Sequence, residues 1–303
     1  MIFRRAMPAL PAVFLALAVM MAGSGAAGQT AERPLVLQEM TWQDVRDYLK
    51  SGDMIIIPLG STEQQGPHLP LGTDFHEAFG ITKIISAKTG VIVAPLALAG
   101  YSEIHMGFPG TVSVRPETLE KYLFECAESL VKHGFRKFMF FNYHGGNNIV
   151  QAGVMHRINH ETPATALAIG IGGAIRKDVP AGTYEKFFDW HAGLGETSIM
   201  MHLEPGLVRR ERIENPVLNF RFTGEPAKLK ELFEKNPELA HVWSEEIGVP
   251  AATGKKGASH EFTSNGVWTL NDLKNANADL GKMRVDAMVK SVVDFINAWK
   301  KSK

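Results

Sequence analysis

Four apolar runs alternate with helix-like segments along this chain of 303 residues, and that alternation restricts the fold more than any other feature. Continuous apolar strands separated by helices are typical of βαβ units, in which a mainly parallel sheet is buried on both faces. We therefore predict an α/β fold with helices on both faces of the sheet. The predicted strands are MIIIPLG (54–60), VIVAPLAL (91–98), KFMFFNY (137–143) and ATALAIGIG (164–172), and the predicted helices cover 75–88, 116–133, 147–160, 196–203 and 274–300.

The first thirty residues differ from the rest of the chain. Arg4 and Arg5 precede the apolar run LPAVFLALAVMMAG, which ends in the small-residue stretch GSGAAGQ. A basic start, a short apolar run and a small-residue exit are typical of a secretory signal peptide. We predict that residues 1–30 are such a signal, so that the mature protein is periplasmic or secreted and leaves the membrane after cleavage. An uncleaved membrane anchor is the alternative.

The remaining residues, 31–303, are predicted to form a single domain, because no sharp linker divides them. The more polar segment at about 205–263 carries one helix-like stretch near 225–235 and is interpreted as a helical insertion or lid. The chain has one cysteine, Cys126, so an intramolecular disulfide is excluded, and on its predicted helix it is expected to be a small core residue.

The composition excludes several classes of function. Lys plus Arg and Asp plus Glu are balanced at 32 each, so no overall field favours nucleic acid or an anionic membrane surface. The chain has no GxxxxGK[ST] phosphate loop and no GxSxG elbow, which removes support for nucleotide binding and for a serine hydrolase. A small-molecule substrate is therefore expected.

Three segments rich in Asp, Glu and His occupy equivalent places in the strand–helix alternation. Ligands in open α/β sheets bind beyond the carboxyl ends of the strands, so at least the first two segments are expected to converge on one pocket. Carboxylate and imidazole ligands without thiolates suit a catalytic zinc, manganese or iron site. The segments are GSTEQQGPHLPLGTD with Glu63 and Asp74, NYHGGNN with His144, and DWHAGLGETS with His191 and Glu196.

Neighbouring glycines support this interpretation, and helix capping is the alternative to it. Gly145 and Gly146 beside His144, and Gly193 and Gly195 beside His191, would allow close approach of the backbone to an ion or substrate. Alternatively, Asp74 and Glu196 could each cap the helix that follows. The clustering of such residues at successive strand ends favours a site.

Four ordered motifs together resemble the creatininase family of metal-dependent amidohydrolases. They are PLGSTEQQGPHLPLGTD, SEIHMGFPGTVS, NYHGGNN and HAGLGETS, and the resemblance spans about residues 40–205. A weaker similarity follows in SNGVWTLNDLKNANADLGK, where Thr269, Leu270 and Asn271 stand in place of the family's Gly-Asp-Pro. The resemblance implies an αβα sandwich that carries a two-metal centre, in a homo-oligomer that is often a hexamer.

The resemblance also implies a role for individual residues. Glu63 and His144 would hold one ion, Asp74 would bridge, and Glu196 would serve the second ion and catalysis. His191 matches the catalytic histidine that gives a proton to the leaving nitrogen, after attack by water that a metal ion activates. Ser102 and His105 fall in the run that lines the substrate pocket.

Gln65 departs from the family pattern, which has a histidine ligand of the second ion at this position. A glutamine carbonyl oxygen is a weaker donor to zinc-like ions than an imidazole nitrogen. We therefore predict one firmly bound divalent ion, with zinc preferred over manganese or iron, and a second ion that binds more weakly. His68, a loop residue between prolines, is an alternative ligand that could complete the site.

These observations predict an exported metal-dependent hydrolase of a non-peptide or cyclic amide C–N bond, with a small-molecule amide as its substrate. Two alternatives stay open from the sequence. One is a metal-dependent binding protein with lost or reduced turnover, and the other is a metal-dependent lyase or isomerase that uses the same centre.

Overall fold

The predicted apolar runs form one parallel sheet in the computed structural model, which describes residues 33–170, 189–218 and 258–302 together with Glu231 and Lys235. The strands lie in the order β2–β1–β3–β4. Strand β1 pairs with β3 from Met54 to Leu59 and with β2 at Ile55 and Ile56. The strands are β1 (Met54–Leu59), β2 (Ile92–Val93), β3 (Lys137–Asn142) and β4 (Thr165–Gly170).

Strand β2 is shorter than its predicted range of 91–98. The Ala94 N–H still donates to the Ile56 carbonyl at 2.8 Å, but Pro95 follows and has no N–H to continue the ladder. The apolar character of the run was therefore a poor guide to its length, because one proline ends the pairing.

Helices cover the sheet much as the sequence predicts, with boundaries set by local signals. Pro116 opens α3 at its first turn, and left-handed Gly90 and Gly134 end α2 and α3. The last helix begins at Ala278 and not at residue 274, because the Asn277 side chain caps it by accepting from the Leu280 N–H at 2.9 Å. The helices are α1 (Trp42–Tyr48), α2 (Thr73–Thr89), α3 (Pro116–His133), α4 (Asn148–Glu161), α5 (Leu194–Leu203), α6 (Ser259–Phe262) and α7 (Ala278–Lys301).

Alternate residues of β1 enter two separate cores, one on each face of the sheet. Ile55 and Ile57 pack with α3 and α4, whereas Met54 and Ile56 pack with α2, α5 and α7. All four side chains are at most 1% exposed. Side chains alternate across a strand, so this pattern requires helices on both faces and confirms the predicted three-layer αβα architecture.

The order of the strands places the loops after β1 and β3 side by side. The chain moves from β1 outward to β2 in one direction, and from β3 outward to β4 in the other, so the strand order reverses between β1 and β3. Ligands in open α/β sheets bind at this switch point. Near it, β5 (Asp189–His191) pairs antiparallel with β6 (Trp268–Thr269) in a separate two-stranded ladder.

Several predictions fall outside the described residues. They include the signal peptide at 1–30 and most of the segment at about 205–263, and the single-domain assignment of 31–303 also stays a prediction. Among the described residues, no helix has the length and apolarity needed to cross a bilayer. Cys126 lies on α3 as expected, but it is only partly buried, so it is not a full member of the core.

The two faces of α4 allow a matched test of the packing. Ile158 is fully buried and Ile149 is 65% exposed. We expect Ile158→Ala to lower the free energy of unfolding by about 2–5 kcal/mol, because it removes buried methyl groups and leaves a cavity. We expect Ile149→Ala to change it by less than about 0.5 kcal/mol. Urea denaturation of both variants measures the difference, and equal losses would contradict this arrangement of the helix.

Candidate active site

The loop after β1 is held rigidly by its neighbours. The Glu63 N–H donates to the Leu71 carbonyl at 2.8 Å, and the Gln64 N–H donates to the Thr111 hydroxyl at 3.0 Å. Gly60 lets the first turn of α2 approach closely, since a Cβ at this position would overlap the backbone of Asp74 and Phe75. Glu63 and Asp74 are thereby brought together on one side of the pocket.

Glu63, Asp74 and His144 form a buried group at the switch point. His144 Nδ1 lies 2.9 Å from Asp74 Oδ2 and 3.2 Å from Glu63 Oε2. One ligand atom from each residue lies within 4.8 Å of the others, which is the spacing of a candidate metal site. The structure thus brings together the three residues predicted to hold the first ion, while their role as ligands stays a prediction.

The hydrogen bonds of His144 suit a metal ligand. Its Nε2 lies 2.8 Å from the Tyr101 carbonyl oxygen, which only accepts, so Nε2 carries a proton and Nδ1 is directed at the carboxylates. Gly146 makes this approach feasible, because a Cβ there would overlap the Tyr101 carbonyl. Burial opposes a charge on His144, but Glu63 and Asp74 outweigh it and raise its pKa well above the usual value. A proton on Nδ1 therefore holds the carboxylates together where a divalent cation would fit.

Asp74 and Glu63 titrate in opposite directions. Burial and the nearby charge of Glu63 raise the pKa of Asp74 to about 7. Burial also acts against ionisation of Glu63, but the rings of His105 and His144 outweigh it and hold the pKa of Glu63 well below its usual value. Two buried carboxylates this close resist carrying two negative charges, and a cation between them would remove that conflict.

A second group consists of Glu63, His105 and His191, whose ligand atoms also lie within 4.8 Å of one another. The rings of His105 and His191 stack with centroids 4.1 Å apart. His191 Nδ1 lies 3.6 Å and His105 Nε2 3.5 Å from Glu63 Oε1. Glu63 therefore faces His144 with one oxygen and the stacked histidines with the other.

The two stacked histidines present different atoms to Glu63. His191 Nε2 donates to the Gln64 carbonyl at 2.7 Å, so its Nδ1 keeps a lone pair. His105 Nδ1 lies 3.1 Å from Gln64 Nε2, and that amide is oriented by bonds to Gly66 N–H and to the Gly266 carbonyl. Since an amide nitrogen only donates, His105 Nδ1 accepts and its Nε2–H points at Glu63. His191 Nδ1 can therefore act as a base, and His105 Nε2–H can act as a hydrogen-bond donor.

Gln65 contacts the Glu63–Asp74–His144 group through its amide nitrogen and not through the carbonyl oxygen that was expected to face an ion. Its Nε2 donates to Asp74 Oδ1 at 2.6 Å and to Glu63 Oε1 at 3.4 Å, and its buried Oε1 has no hydrogen-bond partner. The amide thus stabilises the carboxylates by donating hydrogen bonds to both, without adding positive charge. Ser102 is buried beside them, with its hydroxyl 2.6 Å from that of Ser61 and 3.3 Å from His144 Nε2.

Glu196 and His68 lie close enough to the centre to interact electrostatically with Asp74 and His191, respectively. Glu196 is in the first turn of α5 and burial, followed by the charge of Asp74, raises its pKa well above the usual value. His68 Nε2 is 2.8 Å from the Thr197 hydroxyl, and burial lowers the His68 pKa to about 4. Neither His68 nor Glu196 belongs to either candidate metal group among the described residues, so the role of Glu196 as a ligand stays a prediction.

The helix starts beside Asp74 and Glu196 show how far capping explains these two residues. The N-cap of α2 is Gly72 and that of α5 is Gly193, and neither helix start has a side-chain cap bond from its N-cap residue. The start of α5 is instead held by Asp189, which accepts from the Leu194 and Gly195 N–H groups at 2.9 and 2.8 Å. Neither residue is the N-cap of its helix, but the Ala192 N–H donates to the Glu196 carboxylate, so Glu196 also contributes to the start of α5.

Some residues of the site were missed from the sequence. Gln64 orients both stacked histidines, one through its carbonyl and one through its amide, and no sequence signal distinguishes these roles. Glu77 is fully buried on α2. It occupies the apolar stripe that continues through Ile81 and Ile85, so a glutamate in that stripe was a usable signal. Asp189, before Trp190 and His191, was also overlooked.

Comparison with known proteins places the chain in a family. Residues 38–296 match the family model named Creatininase and described as creatinine amidohydrolase. The chain is 30% identical to the mycofactocin precursor peptide peptidase of Mycolicibacterium smegmatis over 81% of this chain and 85% of that protein. It is 34% identical to the 3-dehydro-scyllo-inosose hydrolase of Thermotoga maritima over 59% of this chain and 60% of that protein. It is 26% identical to the creatinine amidohydrolase of Pseudomonas putida over 60% and 77%.

Solved creatininases share the fold. A manganese form has a TM-score of 0.66 at 21% identity, covering 89% of this chain and 100% of that one. A variant of Zn–Zn type and a variant in complex with creatine each have a TM-score of 0.66 at 20% identity with the same coverage. The two buried groups around Glu63 are candidates for a binuclear centre in this fold. The chain belongs to the creatininase family, as the four sequence motifs predicted, and is a metal-dependent hydrolase of that family.

Proposed function

We propose that this chain hydrolyses a C–N bond of a small cyclic or otherwise non-peptide amide, after export from the cytoplasm. The observation that carries the proposal is the position of His191 Nδ1, which retains a lone pair 3.6 Å from Glu63 Oε1, directly beside the Glu63–Asp74–His144 group. A base next to a candidate ion is the arrangement that metal-assisted hydrolysis requires.

The residues present fit a divalent ion. Glu63, Asp74 and His144 offer two carboxylates and one imidazole nitrogen, a donor set that suits zinc, manganese or iron. A divalent ion bound there would polarise the carbonyl of an amide and lower the pKa of water toward about 7. The Tyr101 carbonyl keeps the ligating face of His144 turned inward, so the group needs little rearrangement to bind a cation.

His191 is proposed to move the proton. Burial lowers its pKa, so the ring is neutral at pH 7 and enters the reaction as a base. Its Nδ1 takes a proton from the attacking water and delivers it to the leaving nitrogen, because an amine leaves poorly without one. The Gln64 carbonyl, bonded to Nε2, steadies the imidazolium that exists between these two transfers.

His105 and Ser102 are proposed to bind the substrate. The His105 Nε2–H faces the centre and can donate to the carbonyl oxygen as negative charge develops on it. The Trp190 ring stands 6.2 Å from that of His105 and 5.0 Å from that of Trp268, which provides an aromatic wall for a flat ring. A compact cyclic amide matches these surroundings.

A peptide is the second candidate substrate. The relative with the larger matched share, at 30% identity over 85% of its length, is named a precursor peptide peptidase. The chemistry at the carbonyl is the same for both bonds, so the centre does not separate them. Lost or reduced turnover, and a lyase or isomerase reaction, are the remaining alternatives.

A substrate panel tests these alternatives directly. The mature protein, loaded with Mn²⁺ or Zn²⁺, is incubated with creatinine, a cyclic imide, a linear formamide, short peptides and a cyclic polyol ketone. We expect ring opening of a cyclic amide, detected by mass spectrometry as a gain of one water. Cleavage of peptides alone would overturn the non-peptide assignment, and absence of turnover by a protein that binds metal would favour the binding-protein alternative.

Export and assembly are proposed on sequence grounds. The basic start and apolar run of residues 1–30 support a cleaved signal, and the family resemblance supports a homo-oligomer, with a hexamer as the expected size. We expect the chain, expressed in a Gram-negative host, to be recovered from the periplasm with its first residue between 26 and 31. N-terminal sequencing measures this, and a protein retained in the cytoplasm with its start intact would contradict it.

The role of His191 is tested by substitution. We expect His191→Ala to lower kcat by about 10² to 10⁴, since it removes the proton carrier, while metal content and unfolding temperature stay unchanged. His156→Ala, an exposed histidine on α4, is the matched control and should retain full activity. Loss of an ion from the His191 variant would make it a ligand instead, and unchanged activity would remove it from the mechanism.

A further inference from the structure

Gln64 contacts both stacked histidines, and its side chain has no role in the reaction proposed above. The residue is 4% exposed. Its backbone carbonyl accepts from His191 Nε2, whereas its amide nitrogen lies 3.1 Å from His105 Nδ1. His105 faces Glu63 through its other ring nitrogen. The group that bonds to Nδ1 therefore decides whether His105 presents an N–H or a lone pair to the centre.

Two backbone groups fix the orientation of the Gln64 amide. The Gly66 N–H, which can only donate, lies 3.0 Å from Gln64 Oε1, and the Gly266 carbonyl, which can only accept, lies 3.1 Å from Nε2. Exchanging the oxygen and nitrogen of the amide would set like groups against each other at both ends. A hydroxyl can donate or accept, so Ser259, 3.2 Å from Nε2, does not oppose this orientation. The nitrogen is therefore the atom directed at His105.

The backbone around the amide leaves room for this one arrangement. Gly66 and Gly266 both have left-handed backbones, with φ of 64° and 77°. A Cβ at Gly266 would overlap the Gln64 amide oxygen, so only glycine lets the side chain lie there. The two groups that orient the amide thus come from residues whose conformation favours glycine.

The second group, Glu63, His105 and His191, has the spacing of a metal site but lacks one lone pair. A histidine binds a metal through an unprotonated nitrogen. Because His105 Nδ1 accepts from the amide, the proton of the neutral ring is on Nε2, the atom 3.5 Å from Glu63 Oε1. Glu63 and His191 alone provide two ligands, fewer than the three that a catalytic zinc usually has.

We propose that Gln64 is a positioning residue that keeps the proton on His105 Nε2, so that the second group handles protons and substrate and does not bind an ion. The proposal rests on the proposed function in one respect, the use of His105 Nε2–H as a donor to the substrate carbonyl. An ion is then directed to the Glu63–Asp74–His144 group, and His191 Nδ1 keeps its lone pair for proton transfer.

A purely structural role is the alternative. The Gln64 amide also ties the loop after β1 to the segment that contains Ser259 and Gly266. If this tie were its whole purpose, replacing the amide would lower stability and would leave the tautomer of His105 and the number of bound ions unchanged.

Gln64→Glu tests the proposal, because it replaces a donor with an acceptor of the same size. A carboxylate accepts from a proton on His105 Nδ1 and leaves Nε2 free to bind a metal, as in carboxylate–histidine–zinc triads. We expect ¹⁵N solid-state NMR of the mature, metal-free protein to show a proton on His105 Nε2 alone in the unaltered protein, and a proton on Nδ1 in the variant. His105→Phe identifies the signals of this ring by their loss.

Zinc titration of the chelator-stripped protein measures the consequence for metal binding. By calorimetry and elemental analysis, we expect Gln64→Glu to gain one Zn²⁺ per chain, bound at least about tenfold more tightly than any ion that the unaltered protein takes up at the second group. Adding His105→Phe to this variant should abolish the gain. Gln43→Glu, the same change at an exposed position of α1, is the matched control and should bind zinc as the unaltered protein does.

The outcomes are separable from failure of the proposed function, since neither measurement involves turnover. A proton on His105 Nδ1 in the unaltered protein, or equal zinc binding by Gln64→Glu and the unaltered protein, would overturn the role of Gln64 and leave the hydrolase proposal intact. An added ion that is lost with His105→Phe would support this role even if every amide tested were inert.

A second variant covers the case in which Gln64→Glu does not fold. Gln64→Met keeps the length of the side chain but cannot donate, so His105 should populate both tautomers and the same NMR measurement should detect a proton on Nδ1. A ring that stays entirely in the Nε2–H form would show that other groups hold the proton there, and it would overturn the proposal.

Discussion

The structure of this site depends on one electrostatic conflict, the burial of several carboxylates in a space that has few cations. Glu63 and Asp74 meet at His144, with both carboxylates at most 2% exposed. Parallel strands bring them there, because the loops after β1 and β3 are adjacent at the switch point. Without a bound cation, a proton on His144 and the amide of Gln65 hold the acids together. The geometry of the two carboxylates therefore favours binding of a positively charged group between them.

The backbone accepts local strain to keep the acids and histidines close. Ala192, directly after His191, has a φ of 48°, a left-handed conformation that costs a non-glycine residue about 1–3 kcal/mol. Gly193 follows, and a Cβ there would overlap the Asp189 carboxylate that holds the start of α5. The tight turn thus fixes His191 on one side and delivers Glu196 on the other. The strained turn therefore fixes the positions of the His191 and Glu196 side chains, since both are placed by the same few backbone residues.

The sequence predicted the sheet and the convergence of the motifs because both follow from local patterns. Apolar runs marked the strands, and polar residues after β1 and β3 had to meet at one edge of a parallel sheet. The predicted length of β2 was wrong, since Pro95 interrupts an otherwise apolar run. The tautomers of His105 and His191 could not be predicted either, because they depend on Gln64, whose partners Ser259 and Gly266 are 195 and 202 residues away in the chain. The burial of Glu77 could have been predicted, because this residue lies within an apolar helical stripe.

Glu63 joins the two halves of the chemistry through its two oxygens. Oε2 accepts from the Ser61 hydroxyl at 2.9 Å and faces His144, whereas Oε1 faces His105 and His191. A cation bound at Oε2 would withdraw electron density from the same carboxylate, so Oε1 would become a weaker acceptor for the His105 Nε2–H that points at it. His191 Nδ1, which has a lone pair in this arrangement, would then hold a proton taken from water less firmly. Glu63 therefore lies between the group proposed to hold the ion and the histidines proposed to handle the proton, and its two oxygens connect them.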